Sequence, residues 1–495
     1  MSLIYIKDLS FQYEQSADMI FQHLTFHFDT KWKTALVGRN ARGKTTLLKI
    51  ILGEYTYQGF IDKKEECIYF PYQVKDMSLW VIDICQEIAP EIELWRLKKE
   101  FYCLGMEDDI FYRSFHTLSQ GEQTKVLLAV LFLKDHTFLL IDEPTNHLDQ
   151  KTRQLVAQYL GRQRGFLLVS HDRQFIDMCC DHVIAFNPQS IDVVKGNFSS
   201  WYENKENQDQ YEMQKNIKLQ KEIQRLNKSR QQKANWSNQI EKTKNGHRVS
   251  GLKVDKGHVG HMAAKMMKRA KTIEKHQIKA IEENKKLLKD IEEYDDLKIH
   301  PRVYPHCLIE FRHCSLGYDN HWLFHDLSFS IECQERVLLK GANGCGKSSI
   351  IRYILDKSIS IAGEYDQGSQ LKISYVPQDC SYLSGSLDDL LGEYHVDMTL
   401  VKTILIKLGF IRSDFEKLLQ YLSEGQKKKV LLAISLATSA HLYIWDEPLN
   451  YLDIFSRIQL EKLLLRYQPT LLFVEHDVYF QDNIATKIID LDEVI

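Results

Sequence analysis

The chain of 495 residues is long enough for two or three domains, and its 44% apolar content can fill more than one core. Its formal charge of −3 hides a segregation: Met213 to Ile281 holds 18 Lys or Arg against 4 Asp or Glu, an excess of 14, which leaves −17 for the rest. No run approaches the roughly eighteen uncharged apolar residues of a membrane span, Met1-Ser2-Leu3-Ile4 lacks the flank of a leader, and the ten cysteines form no C-x-x-C pair. A soluble, cytoplasmic protein with reduced thiols, keeping its own start, is the expectation.

In chain order, Leu3 to Asp8 alternates as a strand, Leu9 to Tyr13 leads into a turn, and Phe21 to Phe28 is apolar-rich. The buried-strand run Thr34 to Val37 is followed by Gly38-Arg39-Asn40-Ala41-Arg42-Gly43-Lys44-Thr45-Thr46, a G-x-x-x-x-G-K-[ST] loop opening the helix-like Thr46 to Leu52. Glycine lets backbone N–H groups close around phosphate oxygens and the helix N-terminus adds partial positive charge; Lys44 reaches the terminal phosphates and Thr45 ligates magnesium. Some hundred residues later, Thr137 to Pro144 is an apolar strand ending in Asp142 and Glu143. Paired with a phosphate loop, Asp142 suits the magnesium shell and Glu143 the polarisation of an attacking water.

Three further signals stand in the order found in ATP-binding-cassette proteins, which this half resembles. The resemblance implies that Gln73, after the strand-like Cys67 to Tyr72, joins the magnesium shell. It implies that Ser119 and Gly121, in Leu118-Ser119-Gln120-Gly121-Glu122-Gln123, offer N–H groups to the phosphate of the opposite site, and that His171, in Leu168-Val169-Ser170-His171-Asp172, contacts the γ-phosphate. Tyr13 is a candidate to stack on adenine.

From Leu308 the pattern restarts. Gly341-Ala342-Asn343-Gly344-Cys345-Gly346-Lys347-Ser348-Ser349 repeats the phosphate loop, Gln378 repeats Gln73, Leu422-Ser423-Glu424-Gly425-Gln426 repeats the signature, Asp446-Glu447 ends a second apolar strand, and His476 repeats His171. The offsets are 303 from Gly38 to Gly341, 304 from Leu118 to Leu422 and 305 from His171 to His476, as duplicated domains require. The resemblance implies head-to-tail stacking of two cassettes within one monomer, with ATP and Mg2+ between them. One site would join Lys44, Thr45, Gln73, Asp142, Glu143 and His171 to Ser423 and Gly425; the other would join Lys347, Ser348, Gln378, Asp446, Glu447 and His476 to Ser119 and Gly121. Three departures make the sites unequal: Ala41 where the family has glycine, Leu449-Asn450-Tyr451-Leu452-Asp453 against Thr145-Asn146-His147-Leu148-Asp149, and Glu475 against Ser170.

Between the cassettes lies a proline-free basic segment. Leu219, Ile223 and Leu226, then Trp236 and Ile240, mark a helical seam, and Met266, Ala270 and Ile273 begin a returning partner. Helices of about 35 to 45 residues would reach on the order of 50 to 70 Å. The bend, Asn245 to Gly260, carries four glycines, and Lys265-Met266-Met267-Lys268-Arg269-Ala270-Lys271 suits RNA phosphates. A solvated spacer has no need for so uneven a charge. The fold class is therefore α/β, two P-loop cassettes in tandem joined by a long antiparallel α-helical hairpin: residues 1–202, a linker 203–300 with its tip near 245–260, and 301–495.

This layout resembles the ABC-F family of ribosome-binding ATPases, and the linker over Lys256 to Arg269 resembles its antibiotic-resistance, Lsa/Vga-like branch. Two features agree: no room for a helical arm between Gln73 and Leu118, and a chain that stops at Ile495, soon after His476. The resemblance implies a bacterial 70S ribosome as partner, with 23S rRNA and P-site tRNA near the linker, no membrane, and protection from lincosamides, pleuromutilins and streptogramin A compounds. The bend residues His247, Val249, Leu252, Val254 and His258 are the candidates to approach that site. A general translation factor acting on stalled ribosomes, or an exporter's ATPase subunit, are the alternatives.

Overall fold

The structure, a computed structural model, describes residues 2–14, 19–40, 42–146, 148–187, 191–244, 272, 275, 297–318, 321–342 and 344–493. Both halves are built on a mainly parallel sheet whose central strands are almost wholly buried. In the first, β1 (Leu3–Gln12), β2 (Met19–Asp29), β3 (Lys33–Gly38), β4 (Gln58–Asp62), β5 (Glu66–Phe70), β6 (Thr137–Asp142), β7 (Phe166–Val169), β8 (His182–Phe186) and β9 (Ile191–Lys195) form two sheets, ordered β2-β1-β4 and β5-β6-β7-β3-β8-β9. Strands β6, β7 and β8 are buried throughout, which requires the near-continuous apolar runs their sequences carry. Leu47, Leu48, Ile50 and Ile51 of the helix Lys44–Leu52 pack with Phe138, Leu140 and Leu167 into one core, so the phosphate loop is held from both sides.

The second half repeats this plan with β10 (Ile309–Tyr318), β11 (His321–Ile331), β12 (Arg336–Lys340), β13 (Ser360–Gln367), β14 (Ile373–Val376), β15 (Leu442–Asp446), β16 (Leu471–Val474) and β17 (Lys487–Asp490), ordered β11-β10-β13 and β14-β15-β16-β12-β17. Between Gln73 and Leu118 lie the helices Val81–Ile88 and Leu94–Cys103, matched in the second half by Leu387–Glu393 and Met398–Lys407.

One expectation fails. The first strand does not end at Asp8 but runs on to Gln12 before the turn at Glu14; Asp8 adopts a left-handed φ of 53° and donates its N–H to Thr25 Oγ1 at 2.9 Å. The pairing slips there and then resumes, a bulge that simple alternation does not reveal. His313, with φ 47°, makes the same slip in β10.

The chain divides into two compact units, Met1–Trp201 with Tyr294–Ile495, and Tyr202–Glu293. The helix Phe198–Lys244 has 47 residues, on the order of 70 Å at 1.5 Å per residue. Its first turn buries Phe198 and Trp201, and the Trp201 ring meets Phe455 at 6.3 Å. Farther along, Glu212, Asn216, Leu219 and Ile223 are half-buried while Tyr211, Met213 and Ile217 are exposed, the spacing of a helical seam. The side chains of Leu226, Trp236 and Ile240, the returning Met266, Ala270 and Ile273, and the bend 245–260 lie outside the described residues. Among the described residues no helix is long and apolar enough to cross a membrane.

Candidate functional site: two composite phosphate sites

The sheet order itself assembles each site. Gln73, the Asp142-Glu143 pair, His171 and the first phosphate loop follow β5, β6, β7 and β3, four neighbouring parallel strands whose C-terminal ends open to one side. The second half does the same with β14, β15, β16 and β12.

At the first loop, Gly43 has φ +83°, and a Cβ there would lie 2.5 Å from Ile20 Cγ2, so glycine is required. Lys44 Nζ donates to Gly38 O at 2.8 Å and Arg39 O at 3.1 Å, curling the side chain over the loop. Burial lowers its ammonium, partly offset by the carboxylates of Asp453, Glu143 and Asp142. Thr45 and the Tyr69 hydroxyl, the latter at 2.9 Å, donate to Asp142. In the second loop Gly346 has φ +99°, and a Cβ there would lie 2.8 Å from the Phe324 ring. Lys347 Nζ donates to Gly341 O at 2.9 Å and Ala342 O at 2.8 Å, and Ser348 Oγ donates to Asp446 Oδ2 at 3.1 Å. Ala41, His147 and Asn343 lie outside the described residues.

These residues fit nucleotide and magnesium. A hydroxyl and a carboxylate meet beside each loop, and Asp446 Oδ1 is buried without a hydrogen-bond partner on the same carboxyl that Ser348 engages. Both glutamates sit in left-handed backbone, φ 47° at Glu143 and 48° at Glu447, held there by N–H bonds to Val169 O at 2.8 Å and Val474 O at 3.0 Å. A strained conformation repeated at the same place in both halves marks a site rather than a packing accident. His171 Nε2 stands 3.3 Å from Glu143 Oε1, and His476 Nε2 3.6 Å from Glu447 Oε1.

The carboxyls nevertheless differ. Burial, then the Asp142 charge, pushes Glu143 up to about 8. Burial would raise Glu447 as well, but His476, Gln378 and Asn450, whose Nδ2 donates at 2.5 Å, carry it below the usual range. His171 is held well below an ordinary histidine by burial and by the Lys44 and Arg457 charges, so it is neutral at pH 7.

Each signature serine caps its helix. Ser119 accepts from Glu122 N at the start of Gln120–Leu133, and Ser423 from Gln426 N at the start of Glu424–Ala437, each in a capping box. The two halves meet at these ends. Asn40 Nδ2 donates to Tyr451 O at 2.9 Å, and a Cβ on Gly425 would lie 2.6 Å from that oxygen and 3.4 Å from Asn40 Nδ2. Across the other site a cavity of about 690 Å³ is lined by Lys347, Ser348, Gln378, Glu447 and His476 on one side and by Gln120, between Ser119 and Gly121, on the other. The cavity beside the first site, lined by Asn40, Glu143, His171, Asn450 and Tyr451, is about 140 Å³.

Not every candidate converges. Gln73 is exposed and does not line the smaller cavity, whereas Gln378 hydrogen-bonds Glu447. The Tyr13 ring is 38% exposed and packs edge-on to Phe11 and Tyr55, while its hydroxyl bonds Thr46 Oγ1 at 2.8 Å. Thr46 is buried, as is Ser349, which bonds the Tyr318 hydroxyl at 3.2 Å. Tyr318 was missed although the repeat spacing from Tyr13 points to it. The replacement of Ser170 by Glu475 is a coordinated one. Ser170 Oγ pairs with Thr145 Oγ1 at 3.3 Å, whereas Glu475 Oε2 accepts the N–H of Leu449, which stands in place of Thr145, at 3.1 Å.

The family described as ABC transporter matches residues 21–146 and 324–450. Along nearly the whole chain, the ribosome protection protein VmlR of Bacillus subtilis (strain 168) is 27% identical over 485 residues, covering 95% of this chain and 84% of that protein. The energy-dependent translational throttle protein EttA of Mycobacterium tuberculosis (strain ATCC 25618 / H37Rv) is 29% identical over 381 residues, covering 75% of this chain and 63% of that protein. Among solved structures, one from the complex of archaeal ribosomal stalk protein aP1 with archaeal ribosome recycling factor aABCE1 has the same fold, with TM-score 0.62 at 20% identity over 98% of this chain and 87% of that one.

Proposed function

Since the chain belongs to the ABC transporter family and is an ATP hydrolase with two cassettes, we propose that it is a cytoplasmic ABC-F ATPase that binds the bacterial 70S ribosome and protects it from drugs at the peptidyl-transferase centre. The observation that carries this reading is the joining of two cassettes by a segment with 18 Lys or Arg against 4 Asp or Glu, on a chain similar over 95% of its length to a protein named for ribosome protection. The excess cation suits RNA phosphates, and a long basic helix suits entry from the tRNA exit site toward 23S rRNA beside P-site tRNA. Lincosamides, pleuromutilins and streptogramin A compounds are the drug classes this reading names.

Nucleotide at both sites holds the cassettes together, because each phosphate loop faces the other half's signature helix. Lys44 and Lys347 neutralise phosphate charge, and Ser423 with Gly425, and Ser119 with Gly121, present backbone N–H groups from the opposite half. Thr45, Gln73 and Asp142, and their counterparts Ser348, Gln378 and Asp446, would hold magnesium, which when bound would supply positive charge to the transferred phosphoryl group. Glu143 and Glu447 take the proton of the attacking water, and His171 and His476 orient it through their contacts with those carboxylates.

The Glu143→Gln, Glu447→Gln chain should lose turnover by about 10²- to 10⁴-fold and pellet with ribosomes in ATP but not in ADP. Failure to pellet in either nucleotide contradicts ribosome binding. A general translation factor is the second reading, favoured by the similarity to a protein named as a translational throttle. Drug susceptibility on expression separates the two: protection raises tolerance to at least one of the three classes and is lost on substitution within residues 249–256, whereas a general factor leaves tolerance unaltered.

A further inference from the structure

The second signature helix contains three consecutive buried lysines, and the middle one, Lys428, is 1% exposed. Its ammonium has three N–H donors and no acceptor, and three backbone carbonyls receive it: Pro377 O at 2.7 Å, Asp446 O at 3.0 Å and Gln378 O at 3.3 Å. Burying a cation is costly even where, as here, the carboxylates of Glu475, Asp446 and Glu447 offset part of the cost, and the fold does not need it, because the first half builds the same helix with Thr124 at this place. The carbonyls are also specific. Two belong to the turn that presents Gln378 to Glu447, and the third to the residue just before Glu447.

We propose that Lys428 is a positioning residue of the second ATP site, fixing the Gln378 turn and the Glu447 backbone against the helix whose N-terminus closes the first site. One helix thus serves both sites: Gly425 meets Asn40 and Tyr451 at its start, and a turn later Lys428 holds the machinery of the other site. The inference rests on Glu447 serving the second site.

The test uses the full chain in two backgrounds. Glu143→Gln leaves the second site to report, and Glu447→Gln leaves the first. Lys428→Gln, which keeps two N–H donors and so spares the fold better than Lys428→Met, should lower kcat about tenfold in the Glu143→Gln chain, with KM for ATP within twofold, since displaced catalytic groups slow the chemical step more than binding. The fall should exceed that in the Glu447→Gln chain at least fivefold. An equal fall in both chains, as unfolding or a purely structural role produces, overturns the proposal, as does a fall of less than twofold in the Glu143→Gln chain. Survival of turnover when Glu447→Gln is added to Glu143→Gln overturns instead the assignment of Glu447, and the proposal with it.

Discussion

The two ATP sites are made of the same strands, loops and helices, yet they differ where the opposite half approaches. At the first, Asn40 reaches the Tyr451 carbonyl, Gly425 lies against both, and the adjoining cavity is about 140 Å³. At the second, Lys347, Ser348, Gln378, Glu447 and His476 face Gln120 across about 690 Å³. The glutamates differ too: Glu143 is pushed up to about 8, while Glu447, with Asn450 donating to it and His476 and Gln378 beside it, is depressed. Duplication therefore conserves the scaffold, whereas inequality arises both where the opposite half approaches, at Asn40 and Tyr451, and within the second half, where His476, Gln378 and Asn450 depress Glu447.

The strongest way to break this comparison is to remove the ion pair beneath the first site's closure. Lys429 Nζ bonds Asp453 Oδ2 at 2.9 Å, both buried, and Asp453 also caps the helix Ile454–Tyr467 through Ser456 N at 2.9 Å. Asp453→Ala strands the lysine and should cost about 3–5 kcal/mol, read as a lower Tm. Burial alone would raise the Asp453 carboxyl, but the Lys429 charge and bond hold it well below the usual range. Its stabilisation is therefore present above the ordinary carboxyl pKa of about 4 and is lost as pH falls toward the depressed folded value. Acid unfolding should accordingly be shallower in the variant than in the parent.

A second difference is sharpened by pH. With Glu143 near 8, the first site, read in the Glu447→Gln chain, holds its base mostly protonated at pH 7, and turnover should rise about tenfold between pH 7 and pH 9. The second site, read in the Glu143→Gln chain, has its carboxyl ionised throughout, and its turnover should vary less than twofold over that range. The smallest effect belongs to Asn40→Ala. Loss of the bond to Tyr451 O removes about 1 kcal/mol of closure and should raise KM for ATP about fivefold at the first site.

Much of the scaffold was legible in the chain. The phosphate loops, the Asp142-Glu143 and Asp446-Glu447 strand ends and the repeat spacing fixed which strands carry the site, because buried parallel strands must be apolar runs and loops that hold phosphate must be glycine-rich. The partners of Asn40, Lys428 and Glu475 were not legible. Asn40 and Tyr451 are 411 residues apart, and a hydrogen bond to a backbone oxygen leaves no mark on the residue that supplies it. The bulges at Asp8 and His313 escaped for a related reason, since left-handed φ at an Asp or His is a local exception that alternation does not encode. Lys428 was visible as one of three lysines in a row, but only burial distinguishes it from a solvated helix face.

That each site is completed by the other half is tested most directly by Gly121→Asp, which places a charged side chain in the first signature. Turnover should be abolished in the Glu143→Gln chain, where only the second site works, and the Glu447→Gln chain should retain at least half of its rate. The reverse pattern, with the Glu447→Gln chain silenced and the Glu143→Gln chain active, would contradict the composite arrangement.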